Sequence, residues 1–516
     1  MKTKHCILMV VDALAHRIVE QRFKAGKLPS LMTLVQRGGC LSPCTSIFPS
    51  ITPAATCSIV TGCYPDEHGI EGACWFDRDN EEPAYFGDDL KVAWEKGLHQ
   101  YLVDFGDRLN FERLSSPTLY EMLHQHSIDS ACINYMWFAG PYEHKRHTPL
   151  LLRLAAGKLS PTVRGPRYFK LGDFVETLPE GVAPIPTQGI FSRYGFDDSL
   201  TSLCMMELAK AGALPPFTLA YFPTNDDASH EIGPQAAATE VLEVFDTFLG
   251  EWVEAIGGWQ RIGDDVELLV VGDHGQNGFR DKSPDVINLD DCLSEFQRAS
   301  FDKGWAPGDE LFLCPNMRAS SIYLREDCDE LRQRVVTQLL TVPTIDHVIY
   351  ALQEDRWRMV TAHRGSLTFR RATESETADA VDDYGNAWML DGDLAVVDAS
   401  LTDNNTIRYG IYPNALERVS GANFAESNPI WLTAREGAEF CLQDTGTHPG
   451  GSHGALYVDD SAAALLTSPG VPLNILPSAK NPRIIDIVTL VLHTLGVSAA
   501  AGDTRRAQQI RNLIGG

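Results

Sequence analysis

No stretch of this chain is long and apolar enough to span a bilayer, so no membrane helix is expected. The cysteines include no CxxC pair, which excludes a zinc ribbon built on such pairs. There are twelve in 516 residues, without a repeating pattern, although Cys40, Cys44, Cys57, Cys63 and Cys74 fall close together. That usage fits reduced thiols in a cytoplasmic protein rather than a disulfide framework. Internal repeats and low-complexity segments are also missing. Basic residues are scarce: 43 Lys and Arg against 69 Asp and Glu leave a net charge of −26. The basic footprint needed to wrap long nucleic acid is therefore absent. A small phosphorylated substrate stays open, because bound metal ions reverse the local field.

What is present is the composition of a globular enzyme, with 44% hydrophobic and 22% charged residues. The length exceeds one simple core, so one large domain with an inserted module is expected. The N-terminus, MKTKHCILMVVDALA, starts basic and turns apolar. Asp12 interrupts the run and no small-residue cleavage site follows, so it reads as a buried strand and not as a secretory signal. Residues 6–11 form a continuous apolar run, the pattern of a parallel strand covered on both faces. Further strands are expected at 130–135, 217–222 and 266–271. Helices are expected at 15–24, 29–37, 54–62, 116–126, 198–212, 235–256 and 484–496. Strands alternating with helices give an α/β fold with a mostly parallel sheet flanked by helices.

Between about 300 and 440 the pattern changes to short strands (LFLCPN, ASSIYL, HVIYAL, SLTFRR, LAVVDA) and a helix near 328–341. This reads as an inserted α+β cap over 300–440, with a core of 1–299 and 441–516. Residues 136–197, rich in Pro, Gly, Arg and aromatics, read as an ordered loop excursion near the site.

Seven side chains suit a metal centre with a hydroxyl beside it: Asp12, Thr52, Asp226, His230, Asp273, His274 and His453. Asp12, Asp226 and Asp273 fall at or just beyond the carboxyl ends of three expected strands, where open α/β sheets bind ligands. Asp226 and His230 are four apart, so one helical turn points both the same way; Asp227 is a competing carboxylate. Asp273 and His274 sit in GDHG directly after VELLVV, and His453 lies in GGSHGAL, a second Gly-rich turn. Thr52 precedes Pro53 at the start of a helix, whose N-terminus favours a phosphoryl group. Thr52 read by itself is an N-cap; with the other six it becomes a nucleophile activated by metal. Mixed carboxylates and imidazoles suit zinc, while manganese or iron fit the same donors at some cost in affinity.

The order Asp, Thr, DxxxH, DHG, GxHG resembles the alkaline phosphatase superfamily, and FPSIT…SIVTG with the following YP and HGI is similar to the nucleophile segment of its type I phosphodiesterase/nucleotide pyrophosphatase branch, which includes phosphonoacetate hydrolases. The resemblance implies an alkaline-phosphatase-like core with two divalent metal ions. Asp12, Thr52, Asp273 and His274 would surround one, and Asp226, His230 and His453 the other. It implies hydrolysis of phosphoric esters or anhydrides through a phospho-threonine at Thr52. The chain departs from the branch where an Asn three residues after the nucleophile donates to a phosphoryl oxygen: here stands Ala55. Thr56, Lys145 and Arg146, with Arg164 and Arg167, are the candidate replacements.

A phosphomonoesterase or a carbon–phosphorus hydrolase would use the same centre. A sulfatase would need Cys/Ser-x-Pro-x-Arg where the chain has Thr52-Pro53-Ala54-Ala55-Thr56. A phosphoglycerate mutase would use a Ser nucleophile and a different signature around the first Asp than VVDALA. A metal-stabilised binding protein without activity predicts loss of a ligand or of the nucleophile, yet all seven positions are present. Oligomeric state is not written in the sequence; a homo-oligomer is compatible with it.

Overall fold

The computed structural model describes residues 5–497 apart from 78–79, 87–102, 150–152, 154–158, 280–283, 301–303, 354, 423–427 and 444. Two eight-stranded sheets carry the architecture. The first comprises β1 (His5–Val11), β2 (Cys40–Thr45), β3 (Ser130–Ile133), β4 (Tyr168–Leu171), β5 (Val175–Thr177), β6 (Phe217–Phe222), β7 (Val266–Val271) and β8 (Ala462–Thr467). Its order is β2-β8-β7-β1-β6-β3-β4-β5. The five strands from β7 to β4 are mutually parallel, and β8 and β5 run against their neighbours. This is the α/β fold with a mostly parallel sheet expected from the sequence.

The unbroken apolar run of β1 follows from cover on both faces. Cys6, Leu8 and Val10 enter one apolar cluster, with Ile59 and Val60 of the helix Thr52–Thr61. Ile7, Met9 and Val11 enter the other, with Leu208 of Asp198–Lys210 and Leu249 of Glu243–Ala255. Strand register then aligns the site. Val11 stands opposite Phe222 of β6, and Val10 opposite Val271 of β7. The residues that follow all three strands therefore emerge at one edge.

The segment 136–197 departs from the expected loop excursion. It supplies β4 and β5, which extend the core sheet, and a hairpin of Tyr142–Lys145 with Thr162–Gly165. These strands are three or four residues long, too short for a period to show. Lys170 breaks the apolar pattern of β4, its ammonium neutralised by Glu176 at 2.8 Å.

The second sheet is antiparallel and draws only on residues 311–434. Its order is Leu311–Asn316, Ala319–Leu324, Ile430–Ala434, Ile345–Gln353, Arg356–Thr361, Gly365–Arg371, Ala387–Gly392, Ala380–Val381. LAVVDA, expected as a strand, is instead the 3-10 turn Leu394–Val397, because Asp393 Oδ1 accepts from Ala395 N at 2.8 Å and caps it.

Two fully buried arginines of this segment hold loops of the core. Arg318 Nε donates to Asp460 Oδ2 at 2.8 Å, and its backbone N–H donates to His453 O at 2.9 Å. Among the described residues Arg418 makes no ion pair with a carboxylate. It donates to Leu456 O and Ile47 O, each at 2.9 Å, and burial pushes its guanidinium down to about 10. One residue of the core, Phe48, meets Trp431 of the second sheet edge-on at 5.4 Å.

Removing Arg318 would strand the buried Asp460. Arg318→Met is expected to cost about 3–5 kcal/mol, seen as a fall in Tm. Adding Asp460→Leu should recover part of that loss, since no charge is then left alone. A single variant that melts like the parent would refute the assignment.

Candidate metal centre and nucleophile

Asp12 follows β1 directly, Asp273 lies two residues past β7, and Asp226 and His230 lie on the helix Thr224–Ile232 that follows β6. Asp12 is fixed from behind: its N–H donates to Phe222 O at 3.0 Å, and Asn225 Nδ2 donates to Asp12 O at 2.8 Å. Thr52 opens the helix Thr52–Thr61, where free backbone N–H groups and the positive dipole end collect. His453 approaches on a loop stapled to the Thr52 loop. Ser50 N donates to Gly454 O at 3.2 Å, and Ser50 Oγ donates to Ala455 O at 3.1 Å. Gly454 (φ +121°) is demanded there, since a Cβ would lie 2.9 Å from both Asn316 O and Ile51 Cδ1.

These elements bring all seven residues together. His274 Nε2 lies 3.0 Å from Thr52 Oγ1, 3.3 Å from Asp273 Oδ2 and 3.4 Å from Asp12 Oδ1. Asp226 Oδ2 lies 3.2 Å from His230 Nε2, and its Oδ1 lies 3.7 Å from His453 Nε2. The His274 and His453 rings stack at 3.6 Å. Ligand atoms of Asp226, His230 and His453 fall within 4.8 Å of one another, and so do those of Asp12, Asp226 and His274. Asp226 thus reaches both sets, where the sequence reading gave it to one. Asp273 is held by backbone donors, its Oδ1 accepting from Ala13 N at 3.2 Å and His274 N at 3.0 Å.

The histidine tautomers follow from their partners. Nδ1 of His230 meets Gly451 O at 2.8 Å, that of His274 meets Gly275 O at 2.8 Å, and that of His453 meets Ser50 O at 2.7 Å. A carbonyl only accepts, so each Nδ1 carries the proton and each Nε2 turns a lone pair inward. Asp12 Oδ1, Asp226 Oδ1, Asp273 Oδ2 and His453 Nε2 are buried and lack a hydrogen-bond partner. Buried inward-facing oxygen and nitrogen atoms without a hydrogen-bond partner are the condition a divalent cation satisfies.

The electrostatics agree. Burial pushes the Asp12 carboxyl well above the usual range, and the charges of Asp273 and Asp226 add to it. Burial also raises Asp273, with His274 opposing. Burial pushes Asp226 up too, but His230, His453 and His274 outweigh it and hold that carboxyl low. Burial, followed by His274, drives His453 well below the ordinary imidazole value.

The expected substitutes for the missing Asn are placed otherwise. Thr56 is fully buried; its hydroxyl donates to Thr52 O at 2.5 Å and accepts from Trp137 Nε1 at 2.9 Å, so it does not face a substrate. Arg146 is spent on Asp107, at 2.5 and 3.0 Å. Lys145 and Arg164 point to solvent on the hairpin, and Arg167 pairs with Asp129 at 3.3 Å. Sequence reasoning missed Tyr221, whose hydroxyl donates to Asp12 Oδ2, and Ser46, which donates to Asp273 O at 2.6 Å. Tyr221 sits inside an apolar strand and looks like core; only the pairing of β1 with β6 puts it beside Asp12.

Residues 6–456 match the family model for type I phosphodiesterase / nucleotide pyrophosphatase. The chain belongs to that family. It is a hydrolase of the phosphodiesterase/pyrophosphatase type, and the family is metal-dependent. Among solved structures it is similar to human ectonucleotide pyrophosphatase/phosphodiesterase 5 (14% identity, TM-score 0.55, 97% of this chain and 96% of that one). The murine counterpart gives 13% identity and a TM-score of 0.54 over 97% of each chain. Phosphonoacetate hydrolase from Sinorhizobium meliloti 1021, solved with phosphonoacetate, gives 16% and 0.54 over 96% of each chain. At such identities the likeness speaks for the fold. Among the described residues no helix is long and apolar enough to cross a membrane.

The protonation pattern predicts how pH acts on metal binding. Metal-free folded protein keeps protons on Asp12 and Asp273 above the unfolded carboxylate value of about 3.9. That contribution to stability is complete below about 3.9 and is lost as pH rises through the raised folded values. His453 runs the other way: its contribution is present above about 6.5 and lost as pH falls. A cation needs both carboxylates ionised and the imidazole neutral. The rise in Tm on adding zinc should therefore be larger at about pH 8 than at about pH 5.5. A pH-independent shift, or none, contradicts the site.

Proposed function

We propose that this chain hydrolyses phosphodiester or phosphoanhydride bonds of a small phosphorylated substrate, with Thr52 as nucleophile beside two divalent cations, zinc by the donor set. The observation that carries this reading is the place of Thr52. Its hydroxyl is half-buried at a helix N-terminus, 3.0 Å from His274 Nε2, while the imidazoles and carboxylates around it are buried. Asp12, Thr52, Asp273 and His274 would hold one cation, and Asp226, His230 and His453 the other, with Asp226 in reach of both. When bound, the cations supply Lewis-acid stabilisation of charge on the attacking and leaving oxygens.

The chain's own groups do the rest. Thr52 Oγ1 loses its proton to solvent and bonds to phosphorus in line as the bond to the leaving oxygen breaks, the leaving oxygen taking up a proton, giving phospho-threonine. A water oxygen then loses a proton and bonds to phosphorus, and Thr52 Oγ1 departs and regains its proton. Backbone N–H groups at the start of Thr52–Thr61 face the phosphoryl oxygens. With Ala55 in place of an amide, those N–H groups take a larger share of that contact. A reducing compartment is supported by the cysteines: all twelve are among the described residues and none is in a disulfide.

Thr52→Ala should lower turnover of bis-p-nitrophenyl phosphate about 10³-fold or more, with metal content by elemental analysis unchanged. Retained turnover would remove Thr52 from the mechanism. The parent protein, assayed beside p-nitrophenyl phosphate and phosphonoacetate, should prefer the diester. A preference for the monoester or the phosphonate would reassign the substrate while leaving the centre in place. Chelation should abolish turnover and added zinc restore it.

A further inference from the structure

Five residues before His453 lies another histidine. His448 belongs to the turn after the strand Ala438–Cys441, and Glu439 of that strand grips it twice. Glu439 Oε1 accepts from His448 Nδ1 at 2.6 Å, and Oε2 accepts from His448 N at 3.1 Å. The Glu439 side chain is 1% exposed, against 23% for His448. A buried carboxylate held at both oxygens by one residue fixes that residue's backbone and ring together. The ring lies against His230, with centroids 4.1 Å apart and planes at 37°.

The same turn holds His230 at two further points. Gly450 N donates to His230 O at 2.8 Å, and Gly451 O accepts from His230 Nδ1 at 2.8 Å. The approach is so close that a Cβ on Gly450 would lie 2.3 Å from Gly233 N. His230 is thus bound at its carbonyl, at its outer ring nitrogen and over one ring face, with Nε2 turned toward Asp226.

We propose that Glu439 and His448 are a positioning pair for His230, setting the aim of its Nε2 and through it the cation affinity of the Asp226–His230–His453 set. This rests on the metal-centre reading above. Outer partners that fix a ligating histidine typically change metal affinity by about 10–100-fold when lost. His448→Ala should weaken one of two zinc equivalents by that factor and leave the other unchanged. Glu439→Gln frees the ring without removing it, so it should act in the same direction and more weakly. Since both act through one ring, Glu439→Gln added to His448→Ala should cost nothing more.

The test is calorimetric titration of full-length metal-free protein with zinc, with the visible spectrum of the cobalt-loaded protein as a second readout of ligand geometry. Melting of the metal-free variants separates folding from binding. Weakened binding of one equivalent, an altered cobalt spectrum and a near-parental metal-free Tm support the pair's role. Unchanged dissociation constants for both equivalents, with or without a lowered Tm, make the pair structural and overturn it. Parent protein that takes up no zinc or cobalt would instead bring down the metal-centre reading itself, and the proposal with it.

Discussion

Three imidazole nitrogens turn their lone pairs into a buried space that they share with several carboxylate oxygens. The condition arises outside the cluster, where Gly451, Gly275 and Ser50 accept the Nδ1 protons of His230, His274 and His453. A backbone carbonyl cannot give that proton back, so the ring nitrogens facing inward remain acceptors. Burial removes the water that would otherwise solvate them. A small, hard positive charge is what such a space stabilises, and the family to which the chain belongs is metal-dependent.

The fold delivers this arrangement with little adjustment. In-register parallel strands end together, so Asp12 and Asp273 arrive side by side without a special turn for each. The helices Thr52–Thr61 and Thr224–Ile232 begin close to the same edge and bring a hydroxyl and a one-turn Asp–His pair. His453 has no strand of the core sheet immediately before it. Its loop depends on Ser50 and on the two buried arginines from residues 311–434.

Legibility in the sequence divides along the same line. Strand ends could be read because the apolar runs 6–11 in β1 and 268–271 in β7 stop at an acid or a glycine. Thr52 and His453 were visible because Pro53 and the surrounding glycines mark the turns that carry them. The partners that give these residues their character were not visible: Ser46 sits where no element was expected, Tyr221 sits in an apolar strand that looks like core, and Glu439 is one acid among 69 Asp and Glu. Such contacts depend on which strands become neighbours, and local pattern carries no record of that. Thr56 and Arg146 were chosen on residue type near the site, but direction decides, and Trp137 and Asp107 had already claimed them. β4 and β5 were missed because three or four residues hold too few turns of a period to recognise.

Arg418 ties Ile47, five positions ahead of Thr52, to Leu456, three positions past His453, and it does so from the helix Ala415–Ser420, near the end of the second-sheet segment. That segment therefore cannot be exchanged between relatives as a self-contained cassette. A chimera with a different segment in place of residues 311–434 would sever the brace joining the Thr52 and His453 loops, unless the donor carried a guanidinium at the same spot.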